Sequence, residues 1–279
     1  MILSTISSAV AVDTVKLSKN LLMDDKRAKY KAEIILKSLQ VTEAEFGPFK
    51  LIIADKVMTP KRGTISLKNG KIINTYVGPQ SKVWDEAVIL IPVPVRQGLL
   101  SYRLLLIHKS KLSAFSKVKN LSDLSKLKAG LQKDWVVTKV FKENGLGVKT
   151  TTNFESLFKM LKSNRLDYMP RGVYEVYDEL NMRQSELTDI VVEPTLALHL
   201  PMPTYVYVSP NEPRLAERLE KGLLKLIETG IITKILLKYY DEDIKKADIP
   251  NRRLISINNP FTPGEDKFNT HRFWTTELN

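Results

Sequence analysis

Short apolar runs and amphipathic helical stretches alternate twice along this chain, and the alternation restarts after an apolar segment broken by two prolines. Val15–Ser18 reads as a strand, after which Ala28, Ala32, Ile35, Leu36 and Leu39 repeat at the spacing of one helix face. Gly47-Pro48 closes that unit before a second apolar run, Phe49–Ile53. Thr59 followed by Pro60 predicts a helix start, Gly70 predicts its stop, and Ile72–Tyr76 predicts a third strand. A β-α-β-α-β order calls for a mostly parallel sheet flanked by helices.

Two longer apolar runs follow, Val88–Val95 with Pro92 and Pro94 inside it, and Leu99–Ile107. Proline has no amide to give a sheet ladder, so the first run belongs at an edge or in a segment crossing between lobes. The alternation then resumes. Asn120 opens a helix, Ala129–Gln132 is a strand, and a helix lined by Val136, Val137, Val140 and Phe141 stops at Asn144-Gly145. Val148–Thr150 and Leu166–Met169 are strands, separated by a helix capped by Asn153. Val173, Val176, Tyr177 and Leu180 mark another helix, and Ile190–Glu193 ends the set. The chain returns through Tyr205–Val208 and two amphipathic helices, and the tail after Asp248 is expected to wrap over a surface. A chain of 279 residues suits two lobes of roughly 100–150 residues each.

Charge is unevenly spread. The net charge is +12, and segment 101–150 carries eleven basic residues against Asp123, Asp134 and Glu143. Such a face attracts an acidic partner, anionic lipid, nucleic acid or an anionic ligand, or simply keeps the protein dissolved. No aromatic-basic interleaving accompanies it, which argues against nucleic acid. The absence of cysteine excludes disulfides and thiolate catalysis, and fits an oxidising periplasm, although cytosolic proteins also lack cysteine. Residues 2–12 read ILSTISSAVAV, and Ala9-Val10-Ala11 has the small-x-small form of a signal-peptidase site. Residues 1–11 therefore read as a truncated signal peptide lacking its basic start, or as an apolar first strand. No stretch reaches the 18 apolar residues of a membrane span. The three histidines, His108, His199 and His271, show no metal-ligand spacing, and no nucleophile elbow, phosphate loop or dinucleotide fingerprint occurs. The sequence therefore points to a protein that is not an enzyme and needs no cofactor or metal.

Three segments, taken in order, carry a resemblance: Asp24-Asp25-Lys-Arg27-Ala-Lys-Tyr30 with Met58-Thr-Pro-Lys-Arg62-Gly; Ile91-Pro92-Val-Pro-Val-Arg96-Gln-Gly98 running on to Ile107; and Asn164-Arg165-Leu-Asp167-Tyr-Met-Pro170-Arg171-Gly172-Val-Tyr-Glu175 with Val192-Glu193-Pro194-Thr195. Together they resemble periplasmic solute-binding proteins of the type II "Venus flytrap" kind, near the amino-acid-binding branch of ABC importers. The resemblance implies an α/β fold of two lobes, each a mixed sheet flanked by helices, joined by hinge strands. Residues 12–106 with 194–279 would form lobe 1, and 107–193 lobe 2. It further implies a monomeric periplasmic protein that captures a small polar solute, an anion included, by hinge closure and hands it to a membrane permease. A flytrap module serving a sensor or another protein is the alternative.

The sequence departs from that pattern at two places. Where amino-acid binders carry Ser/Thr-x-x-Arg, this chain has Ser81-Lys82-Val83-Trp84, and where they place an aspartate five residues after Asp167 it has Gly172. A zwitterionic amino acid would then be desolvated without charge partners in the usual pose. The candidate ligand-binding residues are Arg62, Trp84, Gln132, Trp135, Arg171 and Glu175. Arg171 offers a planar donor for a carboxylate or phosphate, or else pairs with Glu175. Trp135 and Gln132 would stack on and hydrogen-bond a solute, or pack ordinarily. Trp84 would be a lobe-1 platform, Arg62 a contact near a helix start, and Arg103 a buried partner at the hinge.

Overall fold

The computed structural model describes residues 12–58, 60–80 and 87–262. The expected leader at 1–11, the helix-capping Thr59, Ser81–Trp84 and His271 lie outside the described residues. The chain packs as two compact units. One comprises the described residues of Met1–Gly78, Lys82–Val95 and Tyr205–Tyr239, the other those of Pro79–Ser81, Arg96–Thr204 and Tyr240–Asn279.

In the first unit β1 (Asp13–Ser18) and β2 (Phe49–Ala54) pair in parallel, with Asp13 opposite Phe49 and Ser18 opposite Ala54. The helix Lys26–Gln40 connects them, its first turn held by the Asp25 carboxylate, which accepts from the Ala28 amide. Its buried side centres on Ile34, Ile35, Ser38 and Leu39, a rotation away from the expected Ala32 and Leu36. The reason is a close crossing. The helix Pro213–Glu228 passes at Gly222, where a Cβ would stand 2.3 Å from the Ser38 carbonyl oxygen. Ser38 tolerates this burial because its hydroxyl donates back to the Ile34 carbonyl at 2.6 Å.

The expected strand Ile72–Tyr76 begins only at Thr75. Asn74 intervenes and stitches β1 instead: its Oδ1 accepts from the Lys16 amide at 2.7 Å, and its Nδ2 donates to the Thr14 carbonyl at 2.7 Å. β3 (Thr75–Pro79), β11 (Thr204–Val208) and β4 (Ile89–Ile91) then form a three-stranded sheet in that order, with β4 antiparallel to β11. Pro92 ends β4 on the outside of this sheet, the position its missing amide requires.

The sheet of the second unit runs β12 (Arg253–Ser256), β10 (Leu196–His199), β5 (Tyr102–His108), β8 (Tyr168–Gly172), β6 (Lys128–Gln132) and β7 (Gly147–Thr151), with β9 (Ile190–Val192) also beside β5. It is mixed: β5 is antiparallel to β8, β9 and β10, whereas β6 is parallel to both β7 and β8. Every residue of β5 except His108 is buried, which is why it reads as one unbroken apolar run. Arg103 is the charged exception inside it.

The units divide the chain differently from the expected split at 106/107 and 193/194. Residues 96–106, 194–204 and 240–262 pack with the second unit. Sheet pairing accounts for much of this: β10 joins β5 directly, and β12 pairs in parallel with β10. The tail after Asp248, expected as a wrap, thus supplies a strand. Neither β10 nor β12 stands out in the sequence, because each has four residues and β12 buries only Ile255.

Candidate functional site

The mixed directions of the second sheet bring particular residues to one edge. The carboxyl ends of β6, β7 and β8 carry Gln132, Thr151 and Arg171–Gly172, and the antiparallel β5 begins at the same edge with Tyr102 and Arg103. Arg103 lies opposite Gly172 and Leu104 opposite Arg171. Pro170 shapes this end of the sheet. It has no amide for β6, and the recorded β6–β8 pairing is Ala129 with Tyr168, so Arg171 and Gly172 project beyond that ladder.

Arg171 is buried and anchored on two carboxylates, Glu175 and Glu179, of the helix that follows β8, Val173–Asn181. Its Nε and Nη2 donate to Glu179 at 2.6 Å each, a bidentate pair, and Nη2 also lies 3.0 Å from Glu175 Oε2. Glu175 Oε2 additionally accepts from the Gly172 amide at 3.0 Å, closing the helix N-terminus. Burial pulls the Arg171 guanidinium toward losing its proton, but Glu175 and Glu179 more than reverse this and hold it charged. Above the guanidinium lie the rings of Trp135, at 4.7 Å from centroid to Cζ, and Phe154, at 5.2 Å.

The same network continues outward. Arg183 donates to Glu155 Oε2 at 2.9 Å and to the Glu179 carbonyl at 2.8 Å, and lies 4.2 Å over the Phe158 ring. On the other side, Arg96 stacks 4.1 Å over Tyr174, whose ring meets Tyr240 edge-on. Burial raises the Tyr174 phenol above its ordinary range, so it stays neutral beside these charges. Arg103 is also buried, but its Nη2 reaches only the Met202 thioether at 3.3 Å, and its Nε has no hydrogen-bond acceptor among the described residues.

Of the sequence candidates, the structure gathers Gln132, Trp135, Arg171 and Glu175 at this edge. The Trp135 amide donates to the Gln132 carbonyl at 3.2 Å, and the Gln132 side chain donates to the Thr152 carbonyl at 3.1 Å. Arg62 is elsewhere, exposed on the helix Pro60–Asn69 of the first unit. Trp84 lies outside the described residues. Asp167 sits at the opposite edge of the sheet, where it accepts from the Lys128 amide at 2.6 Å and pairs with Lys111. Sequence reading missed Glu179. Its signal was available, since Glu175 and Glu179 stand four apart on one helix face directly after Arg171. Among the described residues no cluster of His, Asp or Glu is placed to hold a metal ion.

No protein-family model and no curated protein matches the sequence. Solved structures do. An ancestral arginine-binding protein, bound to arginine, superposes with a TM-score of 0.57 at 19% identity, covering 83% of this chain and 100% of its own. The probable amino-acid ABC transporter extracellular-binding protein of Bacillus subtilis gives 0.57 at 16% identity, over 82% of this chain and 99% of its own. A histidine kinase sensor domain similar to periplasmic binding proteins gives 0.55 at 15% identity, over 82% and 95%. The fold is that of the type II periplasmic binding proteins. In such an open α/β arrangement the strand carboxyl ends are where ligands meet the protein, and here that edge carries the buried guanidinium–carboxylate–aromatic cluster.

Proposed function

We propose that this protein is an extracytoplasmic solute-binding protein that captures a small polar molecule and does not transform it. The observation that carries this reading is the grouping of Gln132, Trp135, Arg171 and Glu175, with Glu179 and Phe154, at the carboxyl edge of one sheet. In this grouping Arg171, Glu175 and Glu179 satisfy one another, so they form a rigid platform for neighbouring donors. The fold supports the reading, since proteins of known structure that share it are described as amino-acid-binding. Delivery to a membrane permease and closure about a hinge belong to the same proposal. Among the described residues no helix is long and apolar enough to cross a membrane.

A thermal-shift screen of amino acids, organic acids, sugars and phosphates tests it. A true solute raises the melting temperature progressively as its concentration exceeds the dissociation constant. No stabilisation by any compound in the panel would overturn the reading. Small-angle scattering with the hit should show a smaller radius of gyration, and an unchanged radius would remove hinge closure. The second reading, a sensory module, is favoured by the likeness to a kinase sensor domain. In that case the solute still binds, but the protein co-purifies with a signalling partner instead of a permease.

A further inference from the structure

We propose that Arg103 is the group that grips the solute, and that the solute therefore presents an oxyanion to the second unit. This rests on the solute-binding reading and gives that site its chemical class. Two buried guanidiniums stand at the same sheet edge, and they are treated differently. Arg171 takes both nearby carboxylates, Glu179 bidentately and Glu175 through Nη2. Arg103, 3% exposed and one residue across the β5–β8 ladder, is left with a thioether. No carboxylate among the described residues lies within the 4 Å of an ion pair with it.

A thioether is a weak acceptor, so one end of a buried, fully charged group lacks a proper partner. Burial accordingly pushes the Arg103 guanidinium down from its ordinary range, which the pull of Glu175 and Tyr174 does not offset, and Arg171 adds a smaller push the same way. Buried charges are paired with opposite charges as a rule, because an unpaired one is expensive to desolvate.

The surroundings are fixed in the sense that matters for binding. Met202 is held by its amide donating to Ser101 Oγ at 3.0 Å, and the Leu200 amide donates to the Ser101 carbonyl at 2.8 Å. Opposite Arg103, Gly172 has no side chain, and a Cβ there would stand 2.9 Å from the Tyr174 ring. The helix Val173–Asn181 starts at that point, and its N-terminal dipole adds positive potential next to Arg103. An incoming carboxylate or phosphate would displace the thioether contact and accept from the guanidinium fork. Met202, a flexible side chain, is suited to give way.

The test compares the full-length wild type with Arg103→Met in thermal shift and calorimetry at constant ionic strength. Acetate and malate form one arm, inorganic phosphate and sulfate a second, and acetamide and glycerol a neutral third. Surface lysines are identical in the two proteins, so only the difference between them reports on Arg103. Stabilisation of the wild type by an oxyanion, weakened about 10- to 100-fold in the variant, supports the proposal, and the responsive arm separates carboxylate from phosphate. Equal stabilisation of both proteins overturns it. Stabilisation only by neutral or cationic compounds from the wider screen overturns it too, while leaving solute binding intact. Should Arg103→Met fail to fold, Arg103→Lys keeps the charge without the fork, and undiminished oxyanion affinity there counts against the proposal.

Discussion

Arg218 in the first unit and Arg103 in the second are both buried guanidiniums, yet one is saturated and the other is not. Arg218 donates to Asp13 Oδ2 at 2.7 Å, to the carbonyls of Gly47 at 2.8 Å and Leu39 at 3.2 Å, and to Thr42 at 3.2 Å. It clamps the end of one helix to the start of β1 and leaves no donor for a guest. Arg103 has a thioether. Burial of an arginine therefore says little about its role, and the list of its acceptors says much. Arg171 falls between them, its Nε and Nη2 taken by Glu179 and Glu175, and it is placed beside Arg103.

The largest expected effect comes from Arg171→Met. It removes from the buried Glu179 and the part-buried Glu175 the guanidinium that both contact, which should destabilise the protein by about 3–5 kcal/mol. Chemical denaturation measures this directly. A loss under about 1 kcal/mol would mean that the carboxylates find other partners, and the contrast with Arg103 would then lose its basis.

Arg218→Met should follow at about 3 kcal/mol, slightly less because Asp13 retains Arg214 while the Leu39 and Gly47 carbonyls lose their donor. Gly222→Ala probes the same helix crossing without touching charge. Its added Cβ meets backbone at 2.3 Å, contact that a side-chain rotation cannot relieve, so about 1–3 kcal/mol is expected. If Gly222→Ala were neutral, the two helices would have slack, and Arg218 would be less constrained than its hydrogen bonds imply.

Much of this frame was legible in the sequence. The twice-repeated alternation, the proline-ended β4 and the cap residues Asn120 and Asn153 all follow from local chemistry, and both caps accept from amides three residues on. Gln132, Trp135 and Arg171 each read from the sequence as lying where a strand ends or gives way to a helix, and the directions of the second sheet's strands bring those ends to one edge. What stayed hidden depends on non-local pairing. β10 and β12 are too short to show a period, and only their partners make them strands. The rotation of the first helix toward Ser38 was set by a glycine 184 residues later in the chain. That Arg171 pairs with carboxylates and Arg103 meets a thioether could not be read from residue types at all, because both are arginines in apolar strands.

The smallest effect concerns the opposite edge of the second sheet, where Asp167 is paired rather than left open. Burial alone would raise the Asp167 carboxyl, but the hydrogen bonds from Lys111 and from the Lys128 amide outweigh it and hold the carboxyl below its ordinary range. A carboxyl lowered in the folded state stabilises the protein above the unfolded value near 3.9, and that contribution is lost as pH falls through the lowered folded value. Asp167→Asn should thus lower stability by about 1 kcal/mol at pH 7, and the gap between variant and wild type should shrink as the solution is taken below about pH 4. Denaturant midpoints at neutral and acid pH give both numbers. A gap that persists undiminished in acid would assign the loss to packing, and the amino edge would then be held by shape where the carboxyl edge is held by charge.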